Sequence, residues 1–379
     1  MTADTSTSSS FNIRGPLQSA LVVGLIYFFL VGVSSLESGI KIMGEDTQER
    51  LFSAASNPLA ALCIGILGTV LVQSSSASTS VIVGLVASGA LGVDDAVPMV
   101  MGANIGTTVT NTLVSLGHVR QGDEFKRAFA AATVHDFFNV LAVAILLPFE
   151  LITGALSSAA EEISERLVGS AGSEWKSPIK QWVKEPVSWI QDGLDGLGAS
   201  GNVLGTLMVI AGLILVLAAL TFITKNMRRL VADRIERSLN KVLSSGAGLV
   251  AMVLGLLITI SVQSSSITTS IMIPLAAAGV VTLRNIYPVT LGANVGTTIT
   301  ALLAALAASR PEALTVGLVH TIFNVTGIVL LYTHPYVRDI PIRLAEGLAE
   351  LAVTRRTIAV AYVAGAFVVI PLLGVAILR

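Results

Sequence analysis

Gln73-Ser74-Ser75-Ser76-Ala77-Ser78-Thr79-Ser80 recurs as Gln263-Ser264-Ser265-Ser266-Ile267-Thr268-Thr269-Ser270, 190 positions further along the chain. A second pair keeps the same offset: Gly-Ala-Asn-Ile-Gly-Thr-Thr at 102–108 and Gly-Ala-Asn-Val-Gly-Thr-Thr at 292–298. Both cassettes are polar and both lie in apolar surroundings. A constant interval between their parts marks a duplicated unit that builds one site from two matching halves, as membrane transporters do. A third landmark, Val134-His135-Asp136-Phe137-Phe138-Asn139-Val140 against Val319-His320-Thr321-Ile322-Phe323-Asn324-Val325, is offset by 185 after a shorter loop.

The surroundings are those of a membrane protein. Charged residues make up 12% and hydrophobic ones 53% of the chain, against roughly 25% charged in a soluble domain. Apolar runs at 17–36, 203–224, 312–333 and 357–378 are each close to the ~20 residues that cross a hydrocarbon core. The first begins too far in, and lacks a small-residue cleavage site, to read as a signal peptide. A large soluble helical bundle needs surface charge that this chain lacks. The expected partner is the lipid bilayer, and no nucleic-acid partner is expected.

Charge sets the orientation. Lys225, Arg228, Arg229, Arg234, Arg237 and Lys241 cluster at 225–241, whereas 151–201 carries Glu161, Glu162 and Glu165. The positive-inside rule puts the first segment, read as a loop, in the cytoplasm and the second outside. The chain divides into a cytoplasmic tail (1–15), unit one (16–150), an extracellular linker (151–201), unit two (202–333) and a loop with a C-terminal transmembrane helix (334–379). The linker holds Trp175, Trp182 and Trp189 and reads as a loop with an amphipathic, interface-lying piece. The first helix should end outside near Glu37 and its counterpart inside at the basic cluster, so the repeat is read as inverted, with a parallel repeat as the alternative. The one cysteine, Cys63, allows no intrachain disulfide and reads as a packing residue.

The cassette hydroxyls cannot face lipid, where each unsatisfied polar group costs several kcal/mol. The apolar runs before them (59–72, 247–262) and after them (81–91, 271–281) are too short to span, which predicts half-helices or re-entrant hairpins meeting near the midplane. A second break is expected at Gly102 to Gly106 and at Gly292 to Gly296, where glycine lets backbone approach a ligand. Helix starts and hydroxyls suit an anion such as phosphate, while side-chain oxygens and freed carbonyls suit a hard cation such as sodium. Neither cassette contains Lys or Arg, so a doubly charged anion there calls for co-bound cations. Asp136 is a carboxylate in an apolar run, functional by default, and its counterpart is Thr321; contact with Lys126 or Arg127 is its structural alternative. His135 and His320 read as buried hydrogen-bonding residues that pack the units together.

The paired cassettes, the paired Gly-Ala-Asn segments and the Val-His-Asp-Phe-Phe-Asn element resemble the type II sodium/phosphate cotransporter family over roughly 50–150 and 245–330. The resemblance implies an all-α membrane protein of the plasma membrane (a bacterial inner membrane) with no enzyme activity. It also implies sodium-coupled uptake of inorganic phosphate, mainly as HPO₄²⁻, by alternating access. By the same resemblance the phosphate contacts fall on Ser74, Ser75, Ser76, Ser264, Ser265, Ser266, Thr110 and Thr300. The sodium-associated positions fall on Gln73, Gln263, Asn104, Thr107, Asp136, Asn139, Asn294, Thr297 and Asn324. An aspartate at position 136 goes with electrogenic transport in that family. Sodium is the coupling ion and no cofactor is expected. Two other readings stay open: a sodium-independent oxyanion channel, and an intramembrane serine hydrolase using Ser74–Ser76 with His135 and Asp136. The hydrolase reading lacks a Gly-x-Ser-x-Gly elbow. Helix 357–378 has no counterpart in unit one, and pairing into a homodimer is one open use for it.

Overall fold

The computed structural model describes residues 14–44, 46, 47, 49, 56–168, 178–245 and 248–378, and no strand occurs among them. Unit one contributes α1 (Arg14–Met43), α2 (Pro58–Val72), α3 (Ser75–Ser88), α4 (Val93–Gly106), α5 (Val109–Ser115) and α6 (Gly122–Thr153). α7 (Ala155–Val168) and α8 (Pro178–Gly196) follow. Unit two contributes α9 (Gly201–Ser245), α10 (Gly248–Val262), α11 (Ser265–Ser270), α12 (Met272–Ala277), α13 (Leu283–Leu306) and α14 (Pro311–Tyr332). Beyond it lie α15 (Pro335–Thr354), α16 (Arg356–Ala364), a π turn (Gly365–Val369) and α17 (Ile370–Leu378).

Six helical stretches among the described residues are long and apolar enough to cross a membrane: Ala20–Met43, Gly122–Thr153, Gly201–Met227, Leu283–Leu306, Pro311–Tyr332 and Arg356–Leu378. Four coincide with the apolar runs of the sequence. The other two, Gly122–Thr153 and Leu283–Leu306, carry the histidine, aspartate, asparagine and threonine motifs that dilute their hydropathy. They are also the most buried of the six, so those polar groups face protein rather than lipid.

Each cassette begins where a short helix is broken. Asn57 caps α2, its side chain accepting from the amides of Leu59 and Ala60 at 2.9 and 3.3 Å, with Pro58 next, the residue best tolerated at a first helical position. The helix ends because Gln73 adopts a left-handed conformation (φ 56°). Gln263 ends α10 identically (φ 56°), and these are the two positive-φ residues other than glycine among those described. Such a conformation costs of order 1–3 kcal/mol outside glycine. It is offset locally, since Gln73 Nε2 donates to Val70 O and Gln263 Nε2 to Ile260 O, both at 2.7 Å, and so each satisfies a terminal carbonyl. The next residue starts a new helix: Ser74 Oγ accepts from the Ala77 amide at 3.2 Å and Ser264 Oγ from the Ile267 amide at 3.4 Å.

The glycines of the second motif act differently from the expectation. α13 runs unbroken through Gly292 and Gly296, and only in unit one does the helix stop, at Gly106, before resuming as α5. A Cβ on Gly102 would collide with Leu62 O, one on Gly65 with Met99 O, one on Gly292 with Met252 O and one on Gly255 with Val289 O. These glycines let α4 lie on α2, and α13 on α10, at backbone contact, the small-residue packing of membrane helices. α1 and α9 cross in the same manner: Gly32 faces Gly212 and Gly39 faces Gly205, where a Cβ on Gly39 would come 2.7 Å from Gly205 O. This register runs the two helices antiparallel.

Two segments read as loops are helical. The linker forms α7 and α8, and α8 is amphipathic, burying Val183 and Val187 while exposing Trp182 and Trp189; Trp175 lies outside the described residues. The basic segment 225–241 continues α9 to Ser245, because its charges alternate with apolar residues and no Gly or Pro interrupts it.

Polar contacts gather at two rims. At one, Glu37 is paired with Lys41 at 2.6 Å and receives the Ser309 hydroxyl and amide. At the other, Lys126 pairs with Glu350, and Arg284 grips Asp339 through both guanidinium nitrogens at 2.7 and 2.9 Å. That grip holds the Asp339 carboxyl below its ordinary value.

Candidate functional site

The two breaks face one another across a cavity of ≈ 700 Å³. Unit one lines it with Gln73, Ser74 and Thr110, unit two with Gln263, Ser264 and Ser266. Each glutamine that ends a short helix also accepts a hydroxyl from its own unit: Thr110 Oγ1 donates to Gln73 Oε1 at 3.0 Å, and Thr300 Oγ1 to Gln263 Oε1 at 2.8 Å. Contacts also cross between units. Ser76 Oγ reaches Gln263 O at 3.5 Å and Thr300 Oγ1 at 3.3 Å, and Ser266 Oγ reaches Thr107 O at 3.5 Å. Ser75 and Ser265 are buried in the first turns behind the cavity. Those turns begin with amides that have no helical acceptor, so the cavity wall combines hydroxyls, side-chain amides and helix starts, a donor set suited to an oxyanion.

α9 contributes what the sequence did not disclose. Thr221, Thr224 and Lys225 line the same cavity, and Lys225 is exposed there. It gives the site a cation. As the first residue of the basic cluster Lys225 was visible, but its proximity to a cassette some forty residues away depends on how α9 packs. Asn111 is a second omission: its Nδ2 donates to Thr269 Oγ1 at 2.6 Å and its Oδ1 accepts from Ser270 Oγ at 2.8 Å. One side chain of α5 thereby holds the second cassette.

Asn104, Asn139, Asn294 and Asn324 form a buried core between the units rather than part of the cavity lining. Asn294 Oδ1 accepts from His135 Nε2 at 2.5 Å, and Asn294 Nδ2 donates to Asn139 Oδ1 at 2.7 Å. The mirrored set joins Asn104 Oδ1 to His320 Nε2 at 3.1 Å and Asn104 Nδ2 to Asn324 Oδ1 at 3.1 Å. Each asparagine of a Gly-Ala-Asn segment is thus held by the His/Asn pair of the opposite unit. Thr107 and Thr297 turn back on their own helices, donating to Ala103 O at 3.0 Å and Ala293 O at 3.1 Å.

Asp136 is buried away from both basic residues proposed as alternative partners. Lys126 pairs with Glu350, and Arg127 donates to Ala276 O and Ala277 O. Instead Asp136 Oδ2 accepts from Tyr362 OH at 3.0 Å and from Thr112 Oγ1 at 3.4 Å, the Thr108 hydroxyl stands beside the carboxylate while donating to Ile105 O at 2.9 Å, and Oδ1 accepts no hydrogen bond. Its counterpart Thr321 donates to Gly317 O in its own helix at 3.1 Å.

Comparison with known proteins agrees with this architecture. Residues 28–169 and 215–343, which contain both cassettes, match the family model described as Na+/Pi-cotransporter. Sodium-dependent phosphate transport protein 2A of Rattus norvegicus is 34% identical over 94% of this chain and 67% of its own length. Sodium-dependent phosphate transport protein 2B of Homo sapiens is 33% identical over 93% of this chain and 64% of its own length. The chain therefore spans about two thirds of those relatives. No solved structure matches it. A family match that runs through both halves of the duplication, on a helical membrane protein whose two broken-helix cassettes line one cavity, makes this chain a member of the Na+/Pi-cotransporter family.

Proposed function

We propose that this protein carries inorganic phosphate into the cell together with sodium, by alternating access around the cavity between its two cassettes. The single observation behind this reading is the cavity itself, where hydroxyls, amides and helix starts from both units converge on one ≈ 700 Å³ space, large enough for an oxyanion with water and cations around it. The names of the relatives support sodium as the coupling ion. Ser74, Ser76, Ser264, Ser266, Thr110 and Thr300 are the proposed phosphate donors, with Ser75 and Ser265 acting through their first-turn amides. Asp136, whose Oδ1 accepts no hydrogen bond, is the proposed counter-charge for a sodium ion, and it makes transport electrogenic. Asn104, Asn139, Asn294, Asn324, Thr107, Thr297, Gln73 and Gln263 are proposed to supply sodium oxygens as their present hydrogen bonds exchange during the cycle. The antiparallel crossing of α1 and α9 and the two polar rims support an inverted repeat, with the linker outside and α15 inside a bacterial inner membrane.

The hydrolase reading has a physical obstacle: His135 is committed to Asn294 and His320 to Asn104, so neither stands as a base at a cassette serine. Radiolabelled phosphate uptake into proteoliposomes tests the proposal. Uptake that follows an imposed sodium gradient supports it, and flux indifferent to sodium replaces it with the channel reading.

A further inference from the structure

The C-terminal helix lies outside the duplication, yet it reaches the most buried carboxylate among the described residues. Tyr362 on α16 donates its hydroxyl to Asp136 Oδ2 at 3.0 Å. The ring is held on several sides: Phe129 and Phe137 of α6 have centroids 6.3 Å from it, and Phe367 lies 6.1 Å away in a T-shaped contact. Phe367 follows Tyr362 by five residues, a spacing that puts two side chains on different faces of an α-helix. The π turn at Gly365–Val369 widens the helix so that both fall on one face, a local distortion that recurs at functional positions. With Oδ2 engaged by Tyr362 and Thr112, and the Thr108 hydroxyl beside the group, Oδ1 is the oxygen of this carboxylate that accepts no hydrogen bond, on a residue that is 1% exposed.

We propose that Tyr362 is a positioning residue for sodium coupling: it fixes the Asp136 carboxylate so that Oδ1 is presented to the cation, making the C-terminal helix part of the cation site. This rests on the reading of Asp136 as a sodium counter-charge. A hydroxyl donor on one oxygen orients the group without neutralising it, which a positioning role requires and an ion pair would defeat.

The test is phosphate uptake by purified protein in proteoliposomes, with sodium varied at saturating phosphate and phosphate varied at saturating sodium. Tyr362→Phe should raise the half-saturating sodium concentration about tenfold, the effect of losing one charge-assisted hydrogen bond, and leave the phosphate KM at saturating sodium within about twofold. Phe367→Leu keeps the hydroxyl but loosens its seat, and should shift sodium dependence the same way by less; it serves where Tyr362→Phe does not fold. In an Asp136→Asn background, Tyr362→Phe should add nothing. Unchanged sodium dependence in Tyr362→Phe and Phe367→Leu, with Asp136→Asn altered, overturns the role of Tyr362. Wild-type sodium and voltage dependence in Asp136→Asn overturns the reading beneath it.

Discussion

His135 Nε2 and Asn294 Oδ1 lie 2.5 Å apart across the boundary between the two halves of the chain. Both are buried, and the same Asn294 donates onward to Asn139. Asn294→Ala removes the acceptor of one buried group and the donor of another, at roughly 1–3 kcal/mol for each unsatisfied partner. The variant should unfold several degrees below wild type in detergent, and Asn104→Ala should do likewise because His320 and Asn324 mirror the arrangement. Thermal unfolding checks this; wild-type stability in both would show that the core is not held by these asparagines.

Ser74 and Ser264 face the cavity from opposite units. Loss of either hydroxyl removes a cap and a proposed phosphate donor, worth about 1–3 kcal/mol. Ser74→Ala and Ser264→Ala should each raise the phosphate KM about tenfold or more. The measurement is initial uptake rate against phosphate concentration, and unchanged kinetics in both would take these serines out of the site.

Lys225 is the cationic member of the cavity lining. Because it is exposed, its attraction for a dianion is long-range and screened, with a Debye length of about 8 Å at physiological ionic strength. Lys225→Gln should weaken phosphate binding several-fold at low salt and little at high salt, in tracer exchange assayed at two ionic strengths. An equal loss at both would point to direct contact instead.

Moving one charge through the membrane potential is worth about 2.3 kcal/mol per 100 mV. Wild-type uptake should therefore accelerate under an inside-negative potassium-diffusion potential set with valinomycin. Asp136→Asn should still carry phosphate with sodium but lose that acceleration. A variant as voltage-sensitive as wild type contradicts the role given to Asp136.

Orientation can be read with cysteines in a Cys63→Ala background, since the chain has one natural cysteine. Asp195 in α8 and His334 before α15 are both exposed. Asp195→Cys should react with an impermeant thiol reagent in intact cells and His334→Cys only after permeabilisation. Labelling of both from the same side would defeat the inverted arrangement.

The duplication, the membrane class and the positions of both helix breaks were determined by the sequence alone, because they rest on local physics. A run of hydroxyls cannot face lipid, and a short apolar run cannot span. The left-handed Gln73 and Gln263 sit where the cassettes begin, and Ser74 and Ser264 do what N-terminal serines do. Three things only the tertiary structure decided. Gly102 and Gly292 read equally well as ligand approaches and as packing sites, and only the neighbours Leu62 and Met252 distinguish the two. Which histidine meets which asparagine depends on two units crossing, since each Gly-Ala-Asn asparagine is held by the unit that does not contain it. Lys225 and Tyr362 enter the argument through the packing of α9 and α16, contacts between residues far apart in the chain whose closeness no spacing, periodicity or composition encodes.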